Sequence, residues 1–246
     1  MSSGQAIGSE ELDPGGVGER FAKLARESLS QKAYEEIRSY LMRGRLKPGE
    51  RLVSRTLASE LGISTTPVRE ALLRLASEQA LELDRRNTVM VPELTPERYE
   101  EIRDIRVELE GLASLRAASC ASPRDIDELA EMHERHIIAA GLGKLDDALA
   151  WNEQFHFKLC GLSGLPVLMK MVEGLWLQCG PLLNHFYAGG SVWPEKMHPH
   201  LRVIGGLKER DGRATRLAIA TDIVEGAKPI LAKLRSSSID RGNPAG

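Results

Sequence analysis

The fold class predicted for this chain is mainly α: an N-terminal winged helix-turn-helix followed by an antiparallel all-helical bundle. Three observations carry that prediction. Two short helical patterns between Leu52 and Leu75 are separated by a single glycine, Gly62. Two triplets, Leu81-Glu82-Leu83 and Val89-Met90-Val91, alternate at period two around the polar Asp84–Thr88, which reads as a β-hairpin wing. From Pro96 onward every segment repeats its apolar residues at helical spacing, with no convincing strand.

Residues 1–29 are rich in Gly, Ser and acidic side chains and read as a disordered tail. Ser30–Arg43 places Ala33, Ile37, Tyr40 and Leu41 at helical spacing, and Lys47-Pro48-Gly49 is a turn. Ser54 is the expected N-cap of the next helix, Leu57, Ala58 and Leu61 its inward face, and Gly62 its terminating residue. After a turn at Ile63–Thr65, a second helix is expected to open with Thr66 as cap and Pro67 at the first helical position. Its buried stripe is Val68, Ala71, Leu72 and Leu75. Two such helices joined by a short glycine-bearing turn form a helix-turn-helix. The winged domain therefore spans 30–92, and 93–97, with Pro92 and Pro96 beside it, is a linker.

Six helices are expected over 98–235. Tyr99–Ala118 carries Ile102, Ile105, Leu109, Leu112 and Ala113; Pro123–Ala140 carries Ile126, Leu129, His133, His136 and Ile137; Lys144–Leu162 carries Leu145, Leu149, Asn152, His156 and Leu159. Pro166–Phe186 is apolar over much of its surface, His198–Arg210 offers His200, Val203, Ile204 and Leu207, and Gly212–Leu234 closes the bundle with an expected bend at Pro229. Residues 236–246 read as a frayed tail.

The 246 residues, 42% hydrophobic and 28% charged, suffice for one large or two modest cores. The net charge of −2 is divided unevenly: 30–92 holds 11 Lys/Arg against 8 Asp/Glu, which leaves −5 for the remainder. A weakly basic segment attached to an acidic one suits a DNA reader joined to a part that does not touch DNA. Three cysteines without Cys-x-x-Cys spacing make a disulfide framework or thiolate zinc site improbable. With no apolar run of about 18 residues and no signal peptide, a cytoplasmic protein without membrane contact is expected.

Gly44-Arg45-Leu46-Lys47-Pro48-Gly49-Glu50-Arg51-Leu52, then Leu57-Ala58, then Ser64-Thr65-Thr66-Pro67-Val68-Arg69-Glu70-Ala71-Leu72, resembles the DNA-binding domain of the GntR family of bacterial transcription regulators. The chain departs from the family pattern at Ser54 (usually Glu), Thr65 (usually Arg) and Thr88 (near a usual Gly), which leaves the operator sequence open. Arg55 and Arg69 stand near the starts of the two motif helices, where an arginine entering the major groove takes guanine O6 and N7 as a bidentate pair. The competing reading is two solvated surface arginines. Thr65 and Thr66 are candidates for a phosphate or a thymine methyl, Thr66 equally for a cap alone. Arg85 and Arg86 at the wing tip are candidate phosphate or minor-groove contacts, or an ordinary charged hairpin tip. The resemblance also implies a homodimer on a pseudo-palindromic double-stranded operator.

The second region resembles the helical FCD effector domain of the FadR-like branch of that family. The residues that carry the resemblance are Arg106-Val107-Glu108-Leu109-Glu110, Asn152-Glu153-Gln154-Phe155-His156, His200 and Asp222. Many such domains hold a divalent metal with an Asp-x-x-x-His pair and two further histidines; the positions that the resemblance matches here are Asn152, His156, His200 and Asp222. Two of the four are exchanged, yet two imidazoles, one carboxylate and an amide oxygen are still competent for Zn²⁺, Ni²⁺, Mn²⁺ or Fe²⁺. The alternative is a metal-free pocket in which His156–Asp222 and His200–Asn152 satisfy one another. Arg106 is the candidate grip for a small carboxylate effector, together with Asn152, His156 and His200, or else the partner of Glu110 four residues on. His133 and His136 do not fit the family's positions and read as helix-face or core histidines. With no paired acid and base, nucleophile elbow or phosphate loop, a ligand-responsive regulator is expected. The other readings are a DNA-binding dimer with a degenerate effector domain and, behind it, a metal-dependent enzyme.

Overall fold

A computed structural model of the chain describes residues 29–86, 88–187 and 198–242, and the side chains up to 183, from 198 to 237, and at neither Asn87 nor the intervening segment. The expected tail before Leu29 and residues 243–246 lie outside the described residues. The elements are α1 (Leu29–Met42), β1 (Arg51–Leu52), α2 (Ser54–Leu61), α3 (Thr65–Ser77), β2 (Glu82–Leu83), β3 (Val89–Met90), α4 (Pro96–Cys120), α5 (Pro123–Gly141), α6 (Leu145–Gly161), α7 (Pro166–Tyr187), α8 (Pro199–Lys208) and α9 (Gly212–Gly242).

The winged half forms around the stripe expected for α3: Val68, Ala71, Leu72 and Leu75 are all buried, against Ile37 and Leu41 of α1. Fully buried leucines of this kind each contribute about 1.5–3 kcal/mol relative to exposure. Gly62 ends α2 in the left-handed region (φ 66°), which a residue without Cβ adopts at no steric cost, and the Ile63 N–H closes the turn on the Ala58 carbonyl at 3.0 Å. The caps differ from expectation. Val53, not Ser54, precedes α2, and Ser64, not Thr66, precedes α3, so Pro67 is the third helical residue rather than the first. A proline anywhere in the first turn removes only an N–H that has no intrahelical acceptor.

The wing is three-stranded, in the order β1-β3-β2 and antiparallel throughout, with Leu52 opposite Val89 and Leu83 opposite Val89 from the other side. β1 was not expected, because two residues are too short to show a period. Buried Leu52 and Val89 pin it to the hairpin.

Among the described residues the rear half is the expected six-helix bundle. α4 starts at Pro96, inside the expected linker, because the Thr95 hydroxyl caps it by accepting from the Arg98 N–H at 3.2 Å. Its inward face is only partly the expected one: Ile102 and Ala113 are buried as expected, and two others are not. Ile105 and Leu112 are each 42% exposed, whereas Tyr99, Ile102, Arg106, Glu110, Ala113 and Ala117 are buried. Those six follow one another at intervals of three and four, so a charged pair lies on the core stripe in place of two apolar residues. α9 runs through Pro229 and past Arg235, where a frayed tail was expected, to Gly242.

The two halves meet at α1 and α7. Gly180 of α7 lies so close that a Cβ there would stand 2.4 Å from the Leu41 carbonyl oxygen, and Arg38 reaches Glu173 at 3.3 Å. Arg45 pairs with Asp146 of α6 at 3.0 Å. No helix among the described residues is long and apolar enough to cross a membrane.

Candidate functional site

On the winged half, Arg55, Thr65, Thr66 and Arg69 are all exposed, within the first turns of α2 and α3. Because Thr66 caps nothing, its hydroxyl belongs to this surface and not to the helix start. Arg85 and Arg86 are exposed at the wing tip. Asp84 organises that tip by accepting from the backbone N–H groups of Arg86 (2.7 Å) and Thr88 (2.8 Å), which hold its carboxyl below the usual range.

The rear half encloses a cavity of about 60 Å³, lined among others by Arg106, Asn152, His156, Trp176, His198 and Asp222. Its wall is a chain of buried charges. Arg106 Nε donates to Glu110 Oε1 at 2.7 Å, Trp176 Nε1 donates to the same oxygen at 3.0 Å, and His156 Nδ1 lies 2.7 Å from Glu110 Oε2. The other His156 nitrogen lies 3.0 Å from Asp222 Oδ2. Arg106 also stacks its guanidinium 4.1 Å over the Trp176 ring. Burial works against each charge, but the neighbours outweigh it. Arg106 and His156 hold Glu110 down to about 2, and Glu110 and Asp222 push His156 up to about 9. At neutral pH the chain Arg106⁺–Glu110⁻–His156⁺–Asp222⁻ alternates in sign and sums to zero.

A second group of imidazoles stands behind Asp222. His133 of α5, His198 at the N-cap of α8 and His200 in its first turn present nitrogens all within 4.8 Å of one another. Burial depresses all three, His133 and His198 to about 4 and His200 well below its usual range, helped by His136 beside each of them and by the other imidazoles beside His198 and His200, so each is neutral at pH 7. Phe155 stacks on His200 at 3.7 Å. Among the described residues, His133 Nδ1 and both nitrogens of His200 are buried without a hydrogen-bond partner. His136, by contrast, reaches the Ala148 carbonyl at 3.0 Å, as a core histidine does.

Of the residues singled out in the sequence, His156, His200 and Asp222 come together with ligand atoms within 4.8 Å, and Asn152 and Arg106 line the same cavity. The His156–Asp222 hydrogen bond of the metal-free alternative is present; the His200–Asn152 one is not. Arg106 is bonded to Glu110, as the competing reading had it, and still faces the cavity. The sequence reading missed Trp176 as a polar partner and His133 and His198 as members of a cluster. The signal for the last two was the His-x-His pair at 198 and 200 and a buried-face histidine on α5.

Residues 29–91 match the family model described as "Bacterial regulatory proteins, gntR family", and residues 101–224 match that of the FCD domain. The chain belongs to the GntR family. It is a GntR-type transcriptional regulator with an FCD domain. The HTH-type transcriptional regulator McbR of Escherichia coli (strain K12) is 34% identical over 202 residues, 80% of this chain and 90% of McbR. The solved structure of E. coli McbR/YncC superposes with a TM-score of 0.78 at 32% identity, over 85% of this chain and 99% of that one. The gluconate operon transcriptional repressor of Bacillus subtilis (strain 168) is 37% identical over 87 residues, 35% of each chain. GntR regulators bind DNA through the winged domain and typically do so as dimers.

Proposed function

We propose that this GntR protein is a cytoplasmic, ligand-responsive repressor that binds a two-half-site operator as a homodimer and catalyses no reaction. The single observation that carries the ligand-responsive part is the charged cavity of the FCD half and its link to the DNA reader. Trp176 and Cys179 of α7 touch Arg106 on one side, at 4.1 Å and 3.8 Å, while Gly180 seats α1 on the other. A small organic acid entering the cavity competes with Glu110 and Asp222 for Arg106 and His156, and any resulting shift of α7 is passed to α1 and so to the spacing of two winged domains. Repression is supported by the B. subtilis relative, a gluconate operon transcriptional repressor 37% identical to this chain over 87 residues.

Dimerisation is supported by exposed apolar residues on two helices packed against each other: Ile105, Leu112 and Leu115 of α4, and Leu217 (70% exposed) and Val224 of α9. In the DNA contact, Arg55 and Arg69 read bases, Thr65 and Thr66 take a phosphate or a thymine methyl, and Arg85 and Arg86 take phosphates or the minor groove. The reading as a DNA-binding dimer that senses nothing has one observation in its favour: both nitrogens of His156 and both oxygens of Glu110 are already satisfied within the chain.

The test is a gel shift at fixed salt with the operator, with and without a panel of small carboxylates. Arg69→Ala is expected to weaken binding by about 1–3 kcal/mol, or roughly 5- to 150-fold, while leaving the melting of the helical half unchanged. Undiminished affinity sinks the assignment of Arg69, and a panel in which no acid alters wild-type binding or melting leaves the non-sensing dimer.

A further inference from the structure

The positions that the family pattern marks for a metal are Asn152, His156, His200 and Asp222, and in this structure they are poorly disposed to take one. Asn152 brings no charge, and His156 has Glu110 Oε2 on one nitrogen at 2.7 Å and Asp222 Oδ2 on the other at 3.0 Å. An ion on His156 Nε2 has to displace the proton that this nitrogen shares with Asp222 and that the two flanking carboxylates hold in place.

We propose instead that His133, His198 and His200 form the metal site of this chain, holding one borderline divalent ion with its remaining position facing Asp222 and the cavity. Four observations on the molecule support it. The three ligand nitrogens lie within 4.8 Å of one another, where nitrogens on one tetrahedral ion with bonds of about 2.0–2.1 Å stand roughly 3.3 Å apart, so side-chain adjustment alone closes the set. The three side chains are almost wholly buried, at 5%, 5% and 0% exposure. His133 Nδ1 and both His200 nitrogens are without a hydrogen-bond partner among the described residues, which is rare for buried polar atoms; an ion relieves His133 Nδ1 and one of the two His200 nitrogens by taking their lone pairs. Lastly, Asp222 Oδ1 stands 3.8 Å from His200 Nε2 and 3.9 Å from His198 Nδ1, at the distance of a neighbouring ligand and not of a hydrogen bond.

In this arrangement His156 is a positioning residue. It holds Asp222 by Oδ2 and leaves Oδ1 turned towards the histidines. His198 is the ligand that must change most, since its Nδ1 accepts from the His200 backbone N–H at 3.2 Å and the ion competes for that lone pair. Phe155, stacked on His200, fixes the ring that shares both candidate sets. A set of three imidazoles with an open position suits Zn²⁺, Co²⁺ or Ni²⁺ rather than Mg²⁺ or Ca²⁺. The open position faces the cavity that His198 and Asp222 line, which is where a carboxylate effector would complete the coordination; that last step, and only that step, rests on the ligand-responsive reading above.

The experiment uses the full-length chain, stripped with a chelator and titrated with Co²⁺, read by its visible absorption bands and by metal content after desalting. One ion per protomer is expected. His133→Ala and His198→Ala are each expected to weaken Co²⁺ by more than the roughly 10- to 100-fold that losing an outer-shell contact costs, and Asn152→Ala to retain wild-type affinity and band positions. His133→Gln, checked by its circular dichroism and melting, stands in if the alanine variant does not fold. Wild-type affinity in the His133 and His198 variants with loss in Asn152→Ala overturns the proposal and returns the metal to the family positions. Absence of Co²⁺, Zn²⁺ and Ni²⁺ binding to the wild type also overturns it. In either case calorimetry of carboxylates on the stripped protein decides the effector reading independently.

Discussion

Replacing Glu110 by Gln is the sharpest probe of the buried charge chain. The carboxylate accepts from three donors, Arg106 Nε and Trp176 Nε1 on one oxygen and His156 Nδ1 on the other. Glutamine has a single acceptor oxygen. If that oxygen stays with Arg106 and Trp176, its amide N–H₂ points at His156 Nδ1, which then has to accept; the histidine becomes neutral with its remaining proton on Nε2, donated to Asp222. Arg106 is left as a buried cation, 7% exposed, with no counter-ion. Breaking one partner out of a buried ion pair costs about 3–5 kcal/mol, and at this chain length each kcal/mol moves Tm by about 2–4 °C, so a fall of roughly 6–20 °C is expected. Urea denaturation and thermal melting at pH 7 measure it, and NMR titration of the histidines checks that His156 no longer titrates near 9. The double variant Arg106→Gln/Glu110→Gln is expected to be less destabilised than Glu110→Gln alone, because it removes the stranded cation. A loss under about 1 kcal/mol, the value of an exposed pair, or an unchanged His156 titration refutes the reasoning.

Two further outcomes are expected. Gly180→Ala places a methyl 2.4 Å from the Leu41 carbonyl oxygen and 2.9 Å from Met42 Cα, backbone atoms that cannot step aside, so α1 and α7 must separate; a loss of about 1–3 kcal/mol with faster proteolysis between the halves is expected, and wild-type melting contradicts the close contact. In metal-free protein, stability should peak just above pH 6.5 and fall on both sides, most of the alkaline loss being complete by about 9. His156, raised by its carboxylates from 6.5 to about 9, contributes stability that is present below 6.5 and lost as pH rises through 9, at most roughly 3 kcal/mol. His133 and His198, lowered by burial to about 4, stay neutral in the fold while the unfolded chain takes up protons, so stability is lost as pH falls from 6.5 to 4. A melting temperature that still climbs from pH 8 to pH 10 would contradict this.

Much of the architecture is written in local patterns. The glycine at 62, the stripe Val68–Ala71–Leu72–Leu75 and the alternation on either side of Asp84–Thr88 specify a winged helix-turn-helix because backbone freedom and period are properties of neighbouring residues. The six helices behind it follow for the same reason, as does the surface position of Arg55, Arg69, Arg85 and Arg86, which is simply the face left over once the apolar stripe is buried. What local pattern did not settle is how far round α4 the inward side extends beyond Ile102 and Ala113. On apolar content Ile105 and Leu112 belong inside, yet they are exposed and Arg106 and Glu110 are buried. That inversion is stable only because Trp176 and His156, 66 and 46 residues beyond Glu110, supply the remaining donors to its carboxylate. The histidine cluster has the same origin: His133 and His198 are 65 positions apart, and only the packing of α5 against α8 makes them neighbours. Sequence by itself determined the helices, the wing and the exposed face that carries Arg55, Arg69, Arg85 and Arg86, since these depend on residues a few positions apart. The tertiary structure alone decided which charges and imidazoles share one buried chamber, since desolvation and pairing act between side chains that the chain brings together from afar.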